Sequence, residues 1–136
     1  MMKKWIALLI SASIFLCPHA LSAQADQPVI RSGNPNSMKI ALTFDDGPGP
    51  YSHQILDVLA KHDAKATFFM NGYRLNTWPD AVKRMAAEGH QLGNHTYNHP
   101  YLAKSSDATI WREVSSTAQG ITALTGLTGT GSTGFY

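Results

Sequence analysis

Between Met38 and Leu124 the chain repeats one alternation three times: a short β-prone apolar run, then a stretch whose apolar residues recur every three or four positions. The runs are Met38-Lys-Ile-Ala-Leu-Thr-Phe44, Ala66-Thr-Phe-Phe-Met70 and a weaker His90-Gln-Leu-Gly-Asn-His95. Short, continuously apolar runs bounded by turn residues suit strands buried on both faces, and the intervening periodicity suits crossover helices. The first helix carries Ile55, Leu56, Val58 and Leu59, with Ser52 available as its N-cap. The second runs from Pro79 to a C-terminal Gly89, and the third, from Asp107 to Leu124, carries Ile110, Val114, Ala118, Ile121 and Leu124. Such βαβ units predict an α/β fold with a parallel sheet or barrel.

The segments outside this region are of other kinds. Lys3 and Lys4, the apolar stretch Trp5 to Cys17 and Ala23-Gln24-Ala25 read as a cleavable export signal over residues 1–25, which implies a periplasmic or secreted protein. The apolar stretch is about thirteen residues, short of the roughly 20 that span a bilayer, so no stable membrane anchor is expected after cleavage. Leu16 before Cys17 argues against lipidation, which favours a small residue there. Residues 26–37 are polar and rich in turn formers and read as a linker. Residues 125–136 contain four glycines, no charge and no periodicity; a flexible tail, a truncation or a shifted reading frame each produce such an ending.

Cleavage before Asp26 would remove both N-terminal lysines and the only cysteine, leaving nine basic and nine acidic side chains. A neutral chain has no basic stripe to hold nucleic acid. Without cysteine it has no disulfide staple and no sulfur ligand for a structural metal.

Two clusters carry chemistry. Asp45 and Asp46 follow the first strand and precede Gly47-Pro48, at the end of the strand where parallel α/β folds place their sites. Adjacent carboxylates repel, so the pair needs a cation, a proton or bulk water. Alternation along a strand would send them to opposite sides with different tasks, although Asp-Asp-Gly-Pro taken alone is simply a good turn. His95 and His99, four apart, can face one cation, but that spacing fits an exposed loop equally well. His53, His62 and His90 have no such partner and read as surface residues. Together, one carboxylate and two histidines form an N,N,O set that leaves positions open for water and substrate, with the other carboxylate free to act as general base.

Thr43-Phe-Asp-Asp-Gly-Pro48 and His95-Thr-Tyr-Asn-His99, about fifty residues apart, resemble the first two motifs of the NodB-type polysaccharide deacetylases, carbohydrate esterase family four. Ala66-Thr-Phe-Phe69 and Gly89-His-Gln-Leu-Gly-Asn-His95 resemble the same family, and the likeness covers about Met38 to Leu124. It implies a distorted (β/α) barrel and metal-dependent removal of N-acetyl or O-acetyl groups from an acetylated glycan such as chitin oligomers or peptidoglycan. By motif position Asp45 is the implied general base, and Asp46, His95 and His99 the implied ligands of a divalent metal: zinc foremost, with cobalt, nickel or manganese as alternatives. Thr96 and Tyr97 would shape the site.

The family's later motifs, an arginine that orients the base, an Asp-Trp pair and a histidine that protonates the leaving amine, have no counterpart after Arg112 and His99. The expectation is therefore a barrel cut to about half, residues 38–124, either a slow deacetylase or an inactive remnant that binds metal or glycan. A longer protein read in a shifted frame is the third reading.

Overall fold

The computed structural model describes residues 32–127 and 133–134; the expected signal segment lies outside them, as does most of the Gly/Thr tail. Four strands, β1 (Thr43–Gly47), β2 (Thr67–Met70), β3 (Gln91–Asn94) and β4 (Thr133–Gly134), form one parallel sheet in chain order. Three helices, α1 (Ser52–Lys61), α2 (Pro79–Ala87) and α3 (Asp107–Thr125), separate them, as the alternation predicts. No helix among the described residues is long and apolar enough to cross a membrane.

The core lies where the sheet meets the helices. Leu56, Met70, Val82, Met85, Leu92 and Ile121 are fully buried, and Phe44 stacks on Phe68 with centroids 5.2 Å apart. Burying each large apolar side chain contributes about 1.5–3 kcal/mol, so these few residues carry much of the stability of a small unit. Helix ends follow local chemistry at α3, where the Ser106 hydroxyl accepts from the Thr109 amide and Gly126 adopts a left-handed φ of 71°.

Four sequence expectations are corrected. The first strand is shifted toward the motif: Met38 and Ile40 are exposed and β1 begins at Thr43, because pairing with β2 starts only where Leu42 O accepts from Thr67 N at 2.9 Å. Ser52 is the first helical residue rather than the N-cap; its hydroxyl instead accepts from the Gly49 amide at 2.9 Å, closing the turn that follows β1. The sequence pattern announces no fourth strand, yet Thr133 and Gly134 pair with Leu92 and Gly93.

The fourth concerns His90, which is buried rather than on the surface. Its Nδ1 accepts from Ala66 N at 3.3 Å, its ring stands edge-on to Phe68, and its Nε2 lies 3.7 Å from Glu88 without a hydrogen bond. Burial, reinforced by the positive charge of Lys65, pushes the imidazole below its ordinary 6.5 against the opposing pull of Glu88. The unfolded chain thus takes up this proton before the folded one does. The neutral ring's contribution is complete above about pH 6.5 and is lost as pH falls below it. We expect the urea midpoint to drop between pH 7.5 and 5.5, and His90→Gln, though less stable at pH 7.5, to show a smaller drop; equal drops would contradict this account.

Candidate metal centre

The C-terminal end of β1 is irregular. Phe44 pairs with Phe68 and Gly47 with Met70, so Asp45 and Asp46 together oppose the single residue Phe69. A bulge of this kind re-aims side chains at a sheet end. Asp46 has a φ of +62°, in the left-handed region, where regular pleating would have separated the two carboxylates by alternation alone.

On the far side of β2, the chain leaving β3 turns sharply through His95 to His99. Asp46 Oδ1 lies 3.6 Å from His95 Nε2 and 3.8 Å from His99 Nε2, and the two Nε2 atoms are 3.1 Å apart. A triangle with these sides has a circumscribed radius of about 2.0 Å, against about 2.0–2.1 Å for zinc–nitrogen bonds. The three donors can therefore reach one small divalent cation, and a tetrahedral centre needs them to shift by only a few tenths of an ångström. The same 3.1 Å contact is a hydrogen bond when one ring carries the Nε2 proton. The Asp46 and His99 side chains are 65% and 59% exposed, so the cluster opens to solvent on one side.

Its geometry is set by the main chain around it. Asn71 Nδ2 donates to His95 O at 2.9 Å, Gly72 N to Thr96 O at 3.0 Å and Tyr73 N to Tyr97 O at 3.2 Å, so three successive carbonyls are tied to the segment that follows β2. Asn94 Oδ1 accepts from Thr96 N at 2.9 Å while its Nδ2 donates to Val114 O at 2.8 Å, fixing the loop to α3. Thr96 and His99 are left-handed, with φ of 64° and 56°. Such conformations cost of order 1–3 kcal/mol each in a non-glycine residue and persist where the surroundings over-determine them. Of the four non-glycine residues with positive φ among those described, Asp46, Thr96 and His99 are in this centre.

Asp45 stands apart from the triad. It is exposed and lines an open cleft of about 380 Å³ with Asp46, Gly49, Tyr51 and Phe68. The positions of Asp45 and Asp46 thus differ, and the histidines group with the second. Sequence reading missed Asn71, Asn94 and Glu113, the buried groups that hold the loop; polar residues at strand ends and one carboxylate on an otherwise amphipathic helix are the only marks they leave.

The polysaccharide deacetylase family profile matches residues 32–132. The chain belongs to that family. Among the relatives of this chain is a peptidoglycan-N-acetylglucosamine deacetylase of Bacillus cereus, 50% identical over 82 residues, covering 59% of this chain and 38% of that protein. A chitooligosaccharide deacetylase of Rhizobium leguminosarum bv. trifolii is 51% identical over 83 residues, covering 60% and 39%. The solved chitin deacetylase of Colletotrichum lindemuthianum matches with a TM-score of 0.62 at 38% identity, over 65% of this chain and 41% of that one. The fold is thus that of the deacetylase barrel in part, and the chain spans less than half the length of these relatives.

A Cβ on Gly72 would lie 2.2 Å from Tyr97 Cδ2 and 2.6 Å from Thr117 Oγ1, atoms of the histidine loop and of α3. Gly72→Ala is expected to cost about 1–3 kcal/mol in urea denaturation through overpacking; an unchanged midpoint would show that the loop can retreat.

Proposed function

We propose that this chain carries the metal and base residues of an exported hydrolase that removes acetyl groups, chiefly N-acetyl groups, from glycans such as peptidoglycan or chitin oligomers. The observation that supports it is the convergence of Asp46, His95 and His99 from two strand ends on one point, beside a second, separate carboxylate. The relatives, named for peptidoglycan, chitooligosaccharide and chitin, support the substrate class.

Asp46, His95 and His99 would hold the divalent cation, zinc foremost. A cation in such a set lowers the pKa of water to about 7 and polarises a carbonyl oxygen. Asp45 takes the proton from the water that attacks the acetyl carbonyl, and the C–N bond to the sugar then breaks as the departing nitrogen gains a proton from solvent, giving acetate and a free amine. Among the described residues no group is assigned to protonate the departing amine. General acid catalysis typically contributes about 10²- to 10⁴-fold, so turnover by this chain alone is expected to be slow by about that factor.

The two aspartates separate in one experiment. Asp45→Asn should keep cobalt or zinc binding and abolish acetate release from acetylated chito-oligosaccharides, whereas Asp46→Asn should lose both. Metal loss in Asp45→Asn with retention in Asp46→Asn would reverse the roles. Metal binding without acetate release from the unaltered chain would leave a binding function in place of catalysis.

For export, the supporting feature is the order of Lys3-Lys4, an apolar stretch and Ala23-Gln24-Ala25. Expression in a bacterial host should give a mature protein whose N-terminal sequence begins at Asp26; an intact Met1 in the periplasmic fraction would refute cleavage.

A further inference from the structure

Glu113 is the least expected side chain in α3: a carboxylate only 4% exposed, on a helix face otherwise buried through Thr117 and Ile121. Its oxygens are committed to the histidine loop. Oε2 accepts from Asn98 N at 2.6 Å and Oε1 accepts from Asn98 Nδ2 at 3.0 Å. Burial by itself would raise this carboxyl; the hydrogen bonds from Asn98 lead the opposing effects, joined by the positive charge of Arg112, that hold it below the ordinary carboxylate range.

The carboxylate grips the part of the loop that the other contacts leave free. Asn71, Gly72 and Tyr73 take the carbonyls of residues 95–97, and Asn94 takes the Thr96 amide. Glu113 takes the Asn98 amide, immediately before His99 turns left-handed at a φ of 56°. From there the His99 Nε2 reaches within 3.1 Å of its partner on His95. A freed Asn98 amide would let the loop relax toward ordinary backbone angles and carry His99 away from Asp46.

We infer that Glu113 is a positioning residue for the metal centre, setting the separation of His95 and His99 through its hold on Asn98. The inference rests on the proposed metal-binding role of the two histidines. Every partner of Glu113 in this loop is a donor, so both oxygens must accept. A methionine in its place would be close in volume yet would accept from neither the Asn98 amide nor its side chain, leaving both bonds unmade. A role in filling space alone would be rescued by methionine; a positioning role would not.

The test is cobalt and zinc titration of the full chain, with the Co²⁺ visible absorption spectrum as a second readout. Outer partners of metal ligands typically affect affinity about 10–100-fold, and Glu113→Met is expected to lower it about tenfold and to change the cobalt band shape. Because that change lies in a buried site, Asn98→Ala is measured beside it. It removes only the 3.0 Å bond from an exposed side chain, keeps the fold, and should weaken metal binding a few-fold. Affinity and spectrum equal to those of the unaltered chain in a folded Glu113→Met, or in Asn98→Ala, would overturn the inference while His99→Ala still loses metal. Should the unaltered chain take up no cobalt or zinc, the metal-centre reading itself fails, and this inference with it.

Discussion

The arrangement depends on one exchange of hydrogen bonds: the loop after β3 gives its carbonyls to the segment after β2 and its amides to groups anchored on β3 and α3. A turn with two left-handed non-glycine residues does not hold its shape by intrinsic preference. Here the carbonyls of His95, Thr96 and Tyr97 and the amides of Thr96, Asn98 and His99 all have protein partners. With those main-chain groups satisfied within the protein, the loop has little reason to fluctuate, and two imidazoles stay 3.1 Å apart at their Nε2 atoms. Gly72 belongs to the same device, since only its missing side chain lets the Tyr97 ring and Thr117 close over it.

The opposing carboxylate owes its place to a different kind of irregularity. Parallel pairing aligns β1 with β2 up to Phe44, and the two-for-one step at Asp45 and Asp46 then breaks the ladder. A regular strand would carry the two acids outward at a fixed alternation. The bulge brings Asp46 to the histidines, whereas Asp45 is no part of that cluster although both line the cleft.

Much of the scaffold was legible in the sequence because it is written in patterns of several residues. The apolar run Ala66–Met70, the weaker run His90–His95, the helix begun by Pro79 and the long α3 all have multi-residue patterns to announce them, and the spacing of the Asp-Asp and His-x-x-x-His motifs pointed to one centre. What escaped depends on contacts between segments distant in the chain. The burial of His90 follows from Phe68 and Ala66 packing against it, the Ser52 hydroxyl is diverted by the Gly49 turn, and β4 exists only because β3 offers it an edge. Glu113 is the same case within the site: its sequence neighbours say helix surface, and only the packing of α3 on the histidine loop makes it an anchor.

The proposed ligands come from the end of β1 and from beyond β3, with β2 running between them. A cation held there, as proposed, would tie residue 46 to residue 99 across the breadth of the sheet, in a chain with no covalent cross-link to do so. Binding free energy then becomes folding free energy: free metal at about a hundred times its dissociation constant would add about 2.7 kcal/mol to the stability of a small unit. Metal supply would thus govern how long the folded chain survives proteolysis, quite apart from any effect on turnover.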